Sequence, residues 1–214
     1  MKKIGVNVYS VDELDKDVKA RVLDMFRDDL NDVVISEIEH KFEKLLEEYG
    51  YPTDDIRYRL TYCQGDGVAF YGTINLENFI FNRFLDLSED LTKDDLRRIN
   101  YIVKEGLCIH IEKSQSFHLY DHYNTMIVWE EDADAYMHED SSKKDIDNMI
   151  ISVKKLREFI EDDIVNLSIK MESIGYDIIE EYKSDKSVED YLNWCDLYFT
   201  EDGTMIDIHN CEII

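Results

Sequence analysis

Six stretches of the chain carry apolar side chains three or four residues apart, the spacing that groups them on one face of an α-helix. The first begins at Ser10, where Glu13 is placed to accept from the Ser10 amide in a capping box, and continues to about residue 30. The second ends at Gly50, which suits a left-handed C-terminal cap, and Pro52 follows as a stop. The remaining helices are predicted at residues 76–87, 93–105, 143–173 and 187–193.

Alternating apolar and polar residues are typical of half-buried strands, and they occur at residues 4–8, 56–62, 68–74, 107–112 and 119–130 and in a last hairpin, 196–200 with 204–209. These elements predict an α+β fold in which helices pack on one face of an antiparallel sheet and a long helix lies in the C-terminal half. Because no proline-rich linker interrupts the chain, we expect a single acidic domain, 1–214. A possible subdivision separates a sheet-containing core, 1–135, from the long helix and terminal hairpin, 136–214.

The strongly negative net charge limits the kinds of molecule that the protein can bind. The 214 residues include 24 Lys and Arg against 49 Asp and Glu, a formal net charge of −25, yet 12% are aromatic, which disfavours a disordered acidic tail. Such a surface repels phosphates and anionic membranes, so we expect no direct nucleic-acid or membrane partner but a basic protein surface or cations. No stretch approaches the ~20 apolar residues of a membrane helix, and four separated cysteines predict reduced thiols in a cytoplasm.

The string formed by Gln64, Gly65, Asp66 and Gly67 is the first candidate for a ligand site. Its glycines leave backbone amides accessible, and Asp66 offers an acid, a base or a cation ligand. It is not a P-loop, because no Gly-Lys-Ser/Thr follows and the next predicted element is a strand. The alternative is a hairpin turn whose aspartate binds local amides.

Three histidines form the second candidate. His110 lies on one predicted strand, and His118 and His122 lie four residues apart on the next. If these strands pair, the imidazoles can approach one another and Cys108, an arrangement suited to zinc, to general-base chemistry or to a non-metal ligand pocket. The alternative is that they are packing or surface histidines. No compact motif such as H-E-x-x-H is present, so we predict neither a cofactor nor a catalytic residue.

Acidic residues on predicted helices form the third candidate, because carboxylates on rigid elements can imitate the phosphates of a nucleic acid and occupy a basic groove. The alternative is a generally acidic, solubilising surface. Residues 130–140 contain six acids and no Lys or Arg and are predicted to form an exposed loop. The predicted partner-binding surface comprises Asp24, Asp28, Asp29, Glu43, Glu47, Glu131, Asp132, Asp134, Glu158, Glu161, Asp162 and Asp163.

Several strings in this order resemble a widespread family of small bacteriophage and prophage proteins. They are YSVDEL at 9–14, YCQGDGVAFYG at 62–72, the segment with His118 and His122, and YFTEDG at 198–203. The resemblance covers about residues 4–206. The chain differs from the family pattern in having Cys63 where serine is usual and in its strongly acidic long helix. The resemblance implies a phage context but no reaction, and some members carry a label linking them to antitoxins.

We therefore expect an acidic inhibitor, located in the host cytoplasm, that blocks a host nucleic-acid-binding defence protein of the anti-CRISPR or anti-restriction type. It would do so by occupying the basic nucleic-acid channel of that protein. One alternative is a protein that binds or hydrolyses a nucleotide, or binds a metal, with the 64–67 hairpin and the histidines. Another is an antitoxin that neutralises a basic toxin. The sequence leaves the oligomeric state open.

Overall fold

The computed structural model describes residues 5–114, 120–131 and 142–206. Its α-helices are α1 (Lys16–Phe26), α2 (Asn31–Tyr49), α3 (Leu76–Asn82), α4 (Phe84–Asp90), α5 (Lys93–Lys104), α6 (Lys143–Tyr182) and α7 (Asp185–Trp194). Its strands are β1 (Asp55–Arg59), β2 (Gly67–Thr73), β3 (Ile109–Lys113), β4 (Met126–Glu130), β5 (Tyr198–Phe199) and β6 (Met205–Ile206). Short 3-10 helices cover Val11–Glu13, Arg27–Leu30 and Tyr123–Thr125.

The chain divides into two compact units, residues 39–175 and residues 1–38 with 176–214. The limits of these units fall within α2 and α6 and do not coincide with the predicted division near residue 135. The expectation of a single domain stays a prediction.

Unit 39–175 contains a four-stranded sheet in the order β1-β2-β3-β4, in which every neighbouring pair is antiparallel. β2 is central, and its residues 67–71 are all buried, which explains why this strand is almost wholly apolar. The long helix packs on it, and the Ser168 hydroxyl of α6 donates to the Val68 carbonyl of β2 at 2.5 Å. The predicted α+β fold with an antiparallel sheet and a long helix is confirmed.

The α6 helix follows the predicted apolar spacing but extends to Tyr182, well past residue 173. Its buried side chains in unit 39–175 recur at helical intervals: Val153, Leu156, Ile160, Ile164, Leu167 and Met171. The α5 helix also agrees with its prediction, and Asp95 ties it to α6. The buried Asp95 carboxylate accepts from Thr92 at its own helix start and from Ser152 and Lys155 of α6, both at 2.8 Å.

The helix predicted at residues 76–87 is instead two helices, α3 and α4, separated at Arg83. Arg83 leaves helical geometry, with φ −104° and ψ 16°, and its side chain is only 12% exposed. Its guanidinium lies 2.6 Å from Asp163 and 2.9 Å from Asp86, and it stacks 4.5 Å above the ring of Tyr49. A largely buried cation with these partners accounts for a break at this position.

Two of the predicted strands are also wrong, at least in part. The strand predicted at residues 119–130 begins only at Met126, because Tyr123–Thr125 forms a 3-10 turn. Residues 5–8 are not a strand either; only Tyr9 makes a bridge, and its amide donates to the Phe199 carbonyl at 2.8 Å.

Unit 1–38 with 176–214 has its own core, in which Val11, Val22, Leu192 and Phe199 are nearly inaccessible to solvent. The Ser10 amide donates to Glu13 at 2.9 Å as predicted, but this interaction caps a 3-10 turn, and α1 begins only at Lys16. The terminal hairpin pairs β5 with β6 across the 202–203 turn. Its predicted extension to residue 209 lies outside the described residues.

Candidate functional sites

The 64–67 string forms the predicted hairpin between β1 and β2, which pair from Asp55 opposite Tyr71 to Arg59 opposite Gly67. Asp66 is 8% exposed and points into its own loop. Its carboxylate accepts from the Thr61 amide at 2.6 Å, the Thr61 hydroxyl at 2.9 Å and the Cys63 amide at 3.1 Å. These bonds hold a turn in which Tyr62 adopts a positive φ of 56°. The geometry matches the alternative in which the aspartate stabilises the turn.

The two glycines of this hairpin allow a close approach by the segment that precedes β4. A Cβ at Gly65 would lie 2.8 Å from the Tyr120 ring, and one at Gly67 would lie 2.6 Å from the His122 ring. His122 is therefore packed against the hairpin, while its Nδ1 accepts from the Asn124 amide at 3.3 Å. The glycines serve this packing, and Gln64 is exposed at the loop.

Replacing Asp66 with alanine is expected to lower the free energy of unfolding by about 2 kcal/mol, because the Thr61 and Cys63 amides would lose their charged acceptor. Urea denaturation followed by circular dichroism measures this difference. The exposed neighbour Asp54 provides the control, since Asp54→Ala should change the free energy of unfolding by less than about 0.5 kcal/mol. Equal stability of the two variants would show that Asp66 does not hold the turn.

His110 occupies a different environment from His122. Its ring is stacked on Trp129, with centroids 4.3 Å apart and planes 24° apart, and its Nδ1 lies 2.9 Å from the Thr73 hydroxyl. Potential ligand atoms of His110, Cys108 and Glu131 lie within 4.8 Å of one another. The structure thus brings His110 close to Cys108, as predicted. His122 is not part of this group. His118 lies outside the described residues.

In unit 1–38 with 176–214, the predicted acidic residues Asp24, Asp28 and Asp29 are all exposed. Asp24 lies 3.6 Å from Arg27, and Asp28 lies 3.5 Å from Lys183. Their side chains are 83% and 85% exposed, so these pairs leave most of the carboxylate surface in water.

In unit 39–175, the predicted acids separate into exposed and internal groups. Glu43, Glu47, Glu158 and Asp162 are exposed, and Glu161 pairs with Arg157 at 3.3 Å. Asp163 contributes little surface charge: it is 12% exposed, binds Arg83 and accepts from the Tyr51 hydroxyl at 2.7 Å. Asp132 and Asp134 lie outside the described residues.

An acidic cleft of about 490 Å³ lies between α4 and α6. The sequence predicted the α6 acids of this cleft but not those of α4, because the helix was predicted to end at residue 87, before Glu89 and Asp90. Six carboxylates and two basic side chains line it: Asp86, Glu89, Asp90, Glu158, Asp162, Asp163, Arg83 and Lys155.

An apolar groove of about 610 Å³ lies on the other side of α4, against α3 and α5. Phe81, Leu85 and Phe84 line it and are 83%, 78% and 51% exposed. The break at Arg83 changes the phase of the helix and turns Phe84 and Leu85 outward. Phe81 precedes the break and projects from the side of α3 away from the buried Phe79 and Ile80. Contiguous exposed apolar side chains of this size mark interaction surfaces in many proteins.

The three described cysteines, Cys63, Cys108 and Cys195, are free thiols. Among the described helices, none combines the length and the apolar character that a membrane span requires. In comparisons with protein-family models, curated proteins and solved structures, the chain matches none of them.

Proposed function

We propose that the protein is an acidic inhibitor that binds the basic nucleic-acid channel of a host defence protein, such as a CRISPR effector or a restriction nuclease. The observation that carries the proposal is the surface of α4, where an acidic cleft adjoins an exposed apolar groove. Phe84 and Leu85 line the groove, and Asp86, Glu89 and Asp90 line the cleft. We call this combined surface the α4 face.

The acidic side of the α4 face favours a basic partner. Its carboxylates are held by two helices, so their spacing is set before a partner arrives and little order has to be created on binding. Opposite charges on a partner would raise the association rate, and the net charge of −25 adds long-range attraction. Both effects decrease as salt screens the charges, which makes salt dependence a direct test.

The apolar side of the α4 face favours a protein partner over free cations or a small polar ligand. Large aromatic and aliphatic side chains that are desolvated at the centre of an interface supply much of its binding energy. Phe81 and Leu85 project furthest into solvent and are suited to that role. The acids would then form the polar rim and select a basic surface. The bacteriophage resemblance of the sequence adds the expectation that this surface belongs to a defence protein.

The proposal predicts that reversing acids of the α4 face weakens binding at least tenfold in low salt. The variant Glu89→Lys/Asp90→Lys/Asp162→Lys changes three exposed residues that are not among the ion pairs described above. The control, Asp177→Lys/Glu180→Lys/Glu181→Lys, changes the net charge equally with exposed residues further along α6. Immobilised protein is used to capture a partner from host lysate, and the affinity of the purified partner is measured at several salt concentrations.

The captured partner should bind nucleic acid, and excess DNA or RNA should displace it from the immobilised protein. Phe81→Ala/Leu85→Ala should also weaken binding while leaving its salt dependence unchanged. Equal loss in the acidic and control variants would reduce the interaction to net charge and overturn the role of the α4 face. Capture of a toxin instead of a defence protein would overturn the proposed partner and favour the antitoxin alternative.

A further inference from the structure

The pairing of β3 with β4 brings a cysteine, a histidine and a glutamate, three residue types that can bind metal ions, to one face of the sheet. Ile109 lies opposite Glu130 in the register, and the Glu131 amide donates to the Cys108 carbonyl at 3.2 Å, which extends the pairing by one residue. Cys108 and His110 alternate with the buried Ile109 and therefore project from the opposite face. Potential ligand atoms of Cys108, His110 and Glu131 lie within 4.8 Å of one another.

The His110 imidazole is oriented as a ligand would be. Its Nδ1 is bound to the Thr73 hydroxyl at 2.9 Å, and Trp129 fixes the plane of the ring by stacking. When Nδ1–H donates to Thr73, Nε2 keeps its lone pair. Metal-binding histidines usually have their second nitrogen held in this way by an oxygen acceptor.

The other nitrogen, Nε2, is buried and has no hydrogen-bond partner among the described residues. It faces Glu131, whose Oε1 lies 3.8 Å away, beyond hydrogen-bond distance. A buried polar atom without a partner is uncommon in a folded protein and calls for an explanation. A cation bound by Nε2 together with the Glu131 carboxylate and the Cys108 sulfur would give Nε2 such a partner.

We propose that Cys108, His110 and Glu131 bind a divalent transition-metal ion, for which zinc is the best match. One sulfur, one nitrogen and one carboxylate oxygen are a donor set that zinc accepts, whereas calcium and magnesium prefer oxygen alone. Zinc bonds of about 2.0 to 2.3 Å separate ligand atoms by about 3.5 Å, so small side-chain rotations suffice to close the site. Cys108 binds as the thiolate, and its proton passes to the buffer.

This site is distinct from the α4 face and does not depend on the proposed inhibitor function. It differs from the metal site considered in the sequence analysis, because Glu131 joins Cys108 and His110, whereas His122 packs against the 64–67 hairpin. Its three residues come from the start of β3 and the end of β4, so metal binding would fasten these two strand ends together.

Cobalt titration of the metal-free full-length protein tests the site, because a thiolate ligand produces a sulfur-to-cobalt charge-transfer band. We expect one Co²⁺ per chain, with this band, and its loss when Zn²⁺ is added. The variant Cys63→Ser/Cys195→Ser/Cys211→Ser retains Cys108 as its single cysteine and should keep the band. Thr73→Val should weaken binding by about 10- to 100-fold by removing the oxygen that orients His110.

Cys108→Ser should abolish the band, and His122→Gln should leave both the band and the affinity unchanged. Circular dichroism establishes that each variant is folded. Absence of the band in the folded single-cysteine variant would overturn the proposal. So would Co²⁺ affinity in folded Cys108→Ser equal to that of the unmodified protein, since the ion would then be held by surface carboxylates alone.

Discussion

Arg83→Ala is expected to lower the free energy of unfolding by about 3 kcal/mol, the lower end of the cost of removing one partner from a buried ion pair, because this pair is largely but not fully buried. The side chains of Arg83 and Asp163 are each 12% exposed and approach to 2.6 Å. Without the guanidinium, the Asp163 carboxylate would retain only the Tyr51 hydroxyl among the partners described above. The stacking of Arg83 on Tyr49 at 4.5 Å would be lost as well.

Tyr51 makes the expected loss of stability independent of pH from neutral to mildly alkaline solution. Burial and the nearby Asp163 carboxylate raise the pKa of Tyr51 well above its ordinary value, so its hydroxyl stays protonated in mildly alkaline solution. The hydroxyl cannot replace the positive charge of Arg83, however. The penalty of the Arg83→Ala substitution should therefore persist from neutral to mildly alkaline pH.

Urea denaturation of Arg83→Ala and Arg97→Ala provides the comparison. Arg97 and its partner Asp94 are 80% and 68% exposed, so loss of their 3.2 Å ion pair should cost less than about 1 kcal/mol. Arg83→Lys should recover only part of the stability, because an ammonium neither stacks nor forms paired hydrogen bonds like a guanidinium. Similar losses for Arg83→Ala and Arg97→Ala would contradict a special role for the buried pair.

The sequence predicted the fold class and most helices because apolar spacing and caps are local signals. Gly50 adopts the left-handed geometry expected of a helix cap, with φ 82°, and α5 begins at Lys93 as predicted. The break at Arg83 was missed because it depends on a partner 80 residues away in α6. The outward orientation of Leu85 was missed for the same reason, since the break determines which way the side chains of α4 face.

The candidate sites show a similar division between local and distant effects. The hydrogen bonds of Asp66 to Thr61 and Cys63 lie within five residues, and turn chemistry anticipated them. The pairing of His110 with Glu131 depends on the register of β3 with β4, which no short motif specifies. A 3-10 turn shortened the second strand and placed His122 against the 64–67 hairpin.

Two adjacent aspartates show how far the sequence could predict which acidic side chains are exposed. Asp162 is exposed and Asp163 is internal, although both were predicted to lie on the partner-binding surface. Asp163 lies four residues from both Phe159 and Leu167, at the edge of the apolar stripe of α6, and this spacing was the available signal. The net charge alone could not separate a binding carboxylate from a structural one.

Asp94 and Asp95 form a second adjacent pair, with Asp94 exposed and Asp95 buried. Burial raises the pKa of Asp95, but hydrogen bonds from Lys155, Thr92 and Ser152 outweigh this effect and hold the pKa well below its ordinary range. The ionised carboxylate is therefore stabilised more in the folded protein than in the unfolded chain. Its contribution to stability is complete above the unfolded pKa of about 4 and is lost as the pH falls below that value.

Asp95→Asn is accordingly expected to lower the free energy of unfolding by about 2 to 3 kcal/mol at neutral pH, because hydrogen bonds to a buried charge become bonds to a neutral amide. Lys155 is 42% exposed and water can still solvate it, which keeps the loss below that of Arg83→Ala.

The difference in the free energy of unfolding between Asp95→Asn and the unmodified protein should shrink as the pH falls below about 4, where the unfolded chain binds a proton at Asp95. Urea denaturation from pH 7 to pH 3 measures it, with Asp94→Asn as the matched exposed control. A difference that stays constant over this range would mean that Asp95 stabilises α5 through its shape and neutral hydrogen bonds alone, and not through its charge.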